Sequence, residues 1–278
     1  MEGGKIPAIE NQITAERVKK EGEELLAGFN FELQRNIIKS ITEKCDISNP
    51  NLVTLRRIRN MDDPEAFGFY YPHTEREYIG INFAALLQEK TDPEKRKLFF
   101  WHLLNHEQLH AASAELEYGS MGYQSALGSF KMFNEGVTEM IARVVTREYY
   151  NANGHVSEPV PNTMYQVPVD FVELLIKKIS STVGVGEDIV REAIIRGFFE
   201  RQRFLEEEFM ELCSDVLPKS FARDLQWANS SDMKRAISSS NLVDLKLSPE
   251  QETQLETSVG NIGANYIRTL WDNSLSKH

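Results

Sequence analysis

His106-Glu107-Gln108-Leu109-His110, followed by Asn134-Glu135-Gly136-Val137-Thr138-Glu139 with Glu135 25 positions beyond His110, are the stretches that decide how this chain is read. On an α-helix, residues four apart lie one turn up on the same face, about 6 Å apart. His106 and His110 can therefore offer two imidazole nitrogens to one Zn²⁺. Glu135 is the candidate third ligand, which leaves a fourth position for water, the arrangement of a catalytic rather than a structural zinc. Roughly one chain in a hundred of this length carries HExxH by accident, so context has to decide.

Working outward, residues 96–118 carry apolar side chains at Leu98, Phe99, Leu103, Leu104, Leu109, Ala111 and Ala112 and no Pro or Gly before Gly119. This predicts a long buried helix under the motif. Asp92-Pro93-Glu94 is a start signal for it, with Pro near the first turn and acids close by. Residues 133–150 read as a second helix, with Val137, Met140, Ile141, Val144 and Val145 at helical spacing. Glu135 and Glu139 are one turn apart on it. A metal-bound His usually donates its other ring N–H to a neighbouring acceptor, and Asn134 and Glu139 are the candidates for that task. Gly136 admits close approach by another helix or the metal. The alternative is two packed core histidines and a solvated acidic face at a helix start.

A Zn²⁺ held by two His and one Glu lowers the pKa of its bound water toward roughly 7. Glu107 follows His106 directly, is rotated by about 100° around the helix, and can point at that water as general base. His102 lies four residues before His106 on the same stripe. It is read as packing or hydrogen-bonding above the site, because one helix does not readily aim three successive turns at one tetrahedral metal. His73 is a still weaker ligand candidate.

In these two segments the chain resembles the gluzincin metallopeptidases, whose pattern is HExxH on one helix and a Glu ligand on a following helix within Asn-Glu-Gly or Asn-Glu-x-x-x-Asp/Glu. The matching positions are His106, Glu107, His110, Asn134, Glu135, Gly136 and Glu139. Upstream, residues 67–72 and 78–82 look like the hairpin that precedes the active-site helix in small gluzincins and ImmA-like peptidases. No His-x-x-Gly-x-x-His extension follows His110, so the metzincin branch is not resembled. The resemblance implies a zinc-dependent metallopeptidase acting on a peptide or protein, with a Tyr or His to stabilise the oxyanion. Tyr165, just before a predicted helix, is the first choice for that donor, followed by Tyr123, Tyr149, Tyr150 and His155. A zinc-binding regulatory or partner-recognition domain with little peptidase activity is the alternative.

A hydrophobic content of 41% over 278 residues supports one large or two modest cores. Net charge is −11 and the 31 basic residues are scattered, which argues against a nucleic-acid partner. Cys45 and Cys213 have no CxxC neighbour, so they are read as free thiols rather than a disulfide framework or thiolate zinc site. The N-terminus lacks the apolar stretch of a secretory signal and no segment approaches a membrane span, so a cytoplasmic protein is expected.

Helices are expected at 13–27 and 31–45, covering a sheet of three short strands at 52–58, 66–71 and 78–82. Residues 83–88 form a helical turn or two. Residues 119–131, rich in Gly and Ser, connect the two motif helices at the cleft rim. Residues 78–82 have two equal readings: an edge strand beside the cleft that could pair with an extended peptide, or a buried structural strand. Residues 151–168 carry three prolines and read as a linker. Beyond it lie helices at 169–180, 186–197 running into 198–212, 219–238 and 248–270. The expected architecture is α+β: a zincin-like catalytic domain, residues 1–160, with a small mixed or antiparallel sheet and the zinc-site helix pair, then an all-helical domain, residues 161–278.

Overall fold

Local start signals open most of the helices. In the computed structural model, which describes residues 14–47, 58–61, 67–71, 78–90, 92–115, 120–124, 130–155, 165–200, 220–246 and 253, Thr14 caps α1 (Ala15–Ala27) by accepting from the Arg17 N–H. Asn30 caps α2 (Phe31–Lys44) in the same way. Strands β1 (Ile58–Asn60), β2 (Gly68–Tyr71) and β3 (Tyr78–Ile81) follow. Asn82 then caps α3 (Phe83–Glu89). At the start of α4 (Pro93–Ala112), the Asp92 carboxylate accepts from the Glu94 and Lys95 N–H groups, with Pro93 in the first turn where its missing N–H costs nothing. A two-residue antiparallel ladder, β4 (Ala114–Glu115) with β5 (Ser120–Met121), separates α4 from α5 (Lys131–Ala152). The remaining helices are α6 (Gln166–Val183), α7 (Glu187–Glu200), α8 (Phe221–Trp227) and α9 (Ser230–Ser239), then a 3₁₀ turn at Leu242–Asp244.

The molecule is thus α+β, mostly helical, with a small mixed sheet in the order β1-β3-β2. β2 and β3 form an antiparallel pair, and β1 runs parallel to β3. Of the two readings of residues 78–82, the buried structural strand holds and the edge strand does not: β3 is the middle strand, paired on both sides, and the strand lying on α4 is β2. The first described strand begins at Ile58, where the expected one ended; residues 51–57 fall outside the described ones. The motif helix stops at Ala112 instead of continuing to 118, because Ser113 caps it and the chain turns into β4.

Fifteen of the twenty residues of α4 are buried, which makes it the central element. One face meets an aromatic-rich core of Ile79, Ile81, Phe83, Phe100, Trp101 and Tyr149. The other end contributes Leu109 and Ala112 to a larger core with Val137 and Ile141 of α5, Phe171 and Leu175 of α6, Phe198 of α7 and Met233 of α9. That core runs without interruption across the expected boundary at residue 160, through the close packing of α5 on α6. The first two helices do not both cover the sheet: α1 packs on α3, with Gly22 against the Phe83 ring, and α2 packs on α5. An ion pair from Arg96 to Glu21 ties α1 to α4.

Within the expected linker, Asn151 and Ala152 finish α5, and Gln166 opens α6 with Pro168 in its first turn. The expected helix at 219–238 is two helices, broken where Asn229 and Asp232 build a capping box for α9. Helix α7 is described as far as Glu200, and the expectations for 201–212, 248–270 (Thr253 aside), His73 and Cys213 lie outside the described residues. Cys45 is buried in the larger core. Among the described residues no helix is long and apolar enough to cross a membrane.

Candidate metal centre

Helices α4 and α5 pack together and bring the two motifs face to face. The Nε2 atoms of His106 and His110 lie 3.1 Å apart, and the same oxygen of Glu135 is 3.2 Å from the first and 3.3 Å from the second. Four ligands at tetrahedral zinc distances are separated from one another by about 3.3 Å. The three donor atoms therefore have the spacing of one face of a zinc tetrahedron. All three residues are at least nine-tenths buried, with His106 and His110 3% exposed and Glu135 7%. Two imidazoles and one carboxylate are a donor set that suits a divalent ion such as Zn²⁺.

The orientation of His106 is fixed from behind. Its Nδ1 is 3.1 Å from Glu139 Oε2, so Nδ1–H donates to that carboxylate and Nε2 faces His110 and Glu135. Glu139 also receives His102 Nε2, at 3.0 Å, and Arg143 Nε, at 2.9 Å. Burial alone would raise Glu139, but the hydrogen bonds from His102 and His106 outweigh it and hold the carboxyl well below the usual carboxylate range. Glu135 is held low in the same way: burial opposes ionisation, and His110 and His106 overcome it. For His106, burial pulls down while hydrogen bonds to Glu135 and Glu139 and the charge of Glu107 pull up, and the result is pushed up to about 10. Three buried carboxylates thus call for positive charge at the point where the donor atoms converge.

Glu107 is 5% exposed and faces β2. The Tyr70 backbone N–H donates to its carboxylate, and a Cβ on Gly68 would stand 3.1 Å from Glu107 Oε1. Burial pushes the Glu107 carboxyl up; His106, His110 and the Tyr70 N–H only partly offset this.

The tyrosine selected from sequence, Tyr165, does reach the cluster. Its ring stacks on His106, with centroids 5.0 Å apart and planes within 8°, and its hydroxyl donates to Glu135. Burial, then the charges of Glu135, Glu107 and Glu139, push this phenol far above its ordinary value, so it stays protonated. The chain before α6 comes this close because residue 136 is glycine: a Cβ there would stand 2.6 Å from the Pro168 carbonyl oxygen. Gly136→Ala is expected to destabilise the protein by about 1–3 kcal/mol, the usual cost of overpacking, and to move Tyr165 off His106. Urea unfolding checks the first effect and tyrosine fluorescence of the folded variant the second.

The other four oxyanion candidates serve the fold. Tyr123 donates to the Ile194 carbonyl, Tyr150 donates to the Leu98 carbonyl, Tyr149 accepts from the Asn30 N–H, and His155 packs edge-on against Trp101. Asn134 also departs from its expected task beside the histidines. Its Oδ1 accepts from the Tyr123 N–H at 2.8 Å and so pins the turn after β5, where Gly122 (φ +53°) leaves room for it.

Protein families, curated proteins and solved structures give no match to this chain. Sequence reasoning missed Arg143 and Thr146, which share one face of α5 with Glu139 at i, i+4 and i, i+7; Arg143 donates to Glu139 and Thr146 meets His102. That spacing was the available signal.

Proposed function

We propose that the protein is a zinc-dependent metallopeptidase with a gluzincin-like, zincin-type catalytic core. The observation that carries this reading is the convergence of His106 Nε2, His110 Nε2 and one Glu135 oxygen within 3.1–3.3 Å of one another, with Glu107 alongside. These three residues would hold the metal, which when bound supplies Lewis-acid polarisation of a carbonyl and acidifies a water. Glu107 takes the proton from the attacking water and passes it to the leaving amine nitrogen; its raised pKa suits it to hold that proton between the two events. Tyr165 keeps its hydroxyl proton and donates it as a hydrogen bond to the carbonyl oxygen as negative charge develops there. Strand β2, which anchors Glu107 through the Tyr70 N–H and stands last in the sheet order, would be the strand for an extended peptide to pair with.

One observation favours a second reading, a zinc-binding regulatory or partner-recognition domain: His106, Glu107, His110 and Glu135 are all at most 7% exposed. A digest of a broad peptide library separates the two. The peptidase reading expects cleavage that stops with EDTA and returns with Zn²⁺. Stoichiometric zinc with no peptide cleaved would instead support the regulatory domain. Within the peptidase reading, Tyr165→Phe is expected to lower kcat by about a hundredfold, with little change in zinc content, as measured by initial rates and metal analysis.

A further inference from the structure

Behind Glu139 lies a line of buried polar side chains that the reaction does not use. Gln34 Nε2 of α2 donates to Asn105 Oδ1 at 2.6 Å, and Asn105 Nδ2 donates to Thr146 Oγ1 at 3.0 Å. Thr146 Oγ1 is 3.0 Å from His102 Nδ1, and His102 Nε2 is 3.0 and 3.1 Å from the two oxygens of Glu139. All five residues are at most 2% exposed.

The directions of these bonds follow from which atoms carry hydrogens. An amide nitrogen can only donate, so Thr146 Oγ1 is the acceptor for Asn105. The Thr146 hydroxyl proton is then left for His102 Nδ1. Among the described residues it meets no other acceptor, in contrast to Thr138, whose hydroxyl turns back to its own helix at the Asn134 carbonyl. With Nδ1 accepting, His102 carries its proton on Nε2 and donates to Glu139. Every donor in the line points toward the carboxylate that orients His106.

We infer that Gln34, Asn105, Thr146 and His102 form a one-directional hydrogen-bond relay that sets the tautomer of His102 and thereby positions Glu139 and His106 for metal binding. These are positioning residues: none touches the metal ligands directly. The inference rests on the metal-site reading above, and deepens it by naming what holds the metal-orienting carboxylate from α2, a helix more than sixty residues away in the chain. Replacing Thr146 by Val keeps the volume but deprives both Asn105 Nδ2 and His102 Nδ1 of a partner. His102 is then free to move its proton to Nδ1 and present a lone pair to Glu139.

The test uses the full chain loaded with Zn²⁺. Long-range ¹H–¹⁵N correlation of the imidazoles is expected to show His102 as the Nε2–H tautomer and His106 as the Nδ1–H tautomer. His102 found as the Nδ1–H tautomer, or doubly protonated, overturns the relay even if no variant folds. Zinc affinity by chelator competition is expected to fall by about tenfold or more in Thr146→Val and in His102→Phe, and to be kept in Thr146→Ser. Unchanged zinc affinity in folded Thr146→Val also overturns it. If the wild-type chain binds no zinc, the metal-site reading itself fails, and the affinity comparison is not the step at fault.

Discussion

Glu107→Gln is expected to abolish peptide cleavage, lowering kcat by about a thousandfold or more, while leaving zinc content at the wild-type level. The separation of the two effects follows from the geometry. Glu107 is not one of the three converging donors, and glutamine keeps an oxygen that can accept from the Tyr70 N–H, so the local structure has no reason to change. What the variant loses is a group that can take and return a proton. Wild-type rates should also depend on pH in a definite direction. Because burial pushes the Glu107 carboxyl up, activity is expected to fall as pH drops through a value above the ordinary carboxylate range, since protonated Glu107 cannot accept from water. Initial rates of the two proteins on one cleaved peptide, with metal analysis of the same samples, check both effects. A Glu107→Gln protein that cleaves within a few-fold of wild type removes Glu107 from the mechanism.

The converging trio of His106, His110 and Glu135 was legible in the sequence because its determinants are local. His106 and His110 are fixed by helical spacing, α4 is opened by Asp92-Pro93, and Glu135 sits on a helix that reads clearly from Val137 to Val145. Gly136 could be read as a place of close approach, although not that Pro168 of α6 was what approached. The hairpin of β2 and β3 was equally visible. Its edge was not, because the parallel pairing of β1 with β3 is a contact between segments some twenty residues apart that leaves no mark on the alternation of either strand. The end of α4 at Ala112 was missed for a related reason: with no Gly or Pro before 119, the helix stops where Ser113 caps it and the chain turns into the β4–β5 ladder, a pairing that the helical periodicity does not record.

Asn134 shows the limit most clearly. Its type and place next to Glu135 fit a partner for a metal-bound histidine, yet the turn after β5 presents the Tyr123 N–H to it and Glu139 takes the histidine instead. His102 was correctly placed on the His106 stripe, but its partner Thr146 comes from another helix, 44 residues on. Patterns of period 3.6 assign faces; they do not assign which donor on the facing helix is met.

Zinc binding is expected to strengthen steeply with pH, by about tenfold per unit from pH 7 to 9, with release of about one proton for each ion bound. The cause is the charge of the cluster. Glu107, Glu135 and Glu139 surround the histidines, and in the absence of a cation His106 carries a proton up to about pH 10. A metal ion using His106 Nε2 has to displace that proton, because the other ring nitrogen donates to Glu139. The same shift governs the stability of the metal-free protein. With the folded pKa raised from 6.5 to about 10, the stabilisation from protonated His106 is complete below pH 6.5 and is lost as pH rises toward 10. The zinc-loaded protein does not depend on it, so the difference in Tm between loaded and EDTA-treated samples should widen between pH 7 and 9. Competition with a chromophoric chelator at three pH values gives the affinity slope, and calorimetry in two buffers of different ionisation enthalpy counts the protons. Glu135→Gln removes one negative charge and weakens the third ligand, and should cost at least about a hundredfold in affinity. A flat affinity from pH 7 to 9, with no proton released, would mean that the ion is not bound through His106 Nε2, and the three-donor site would have to be abandoned with it.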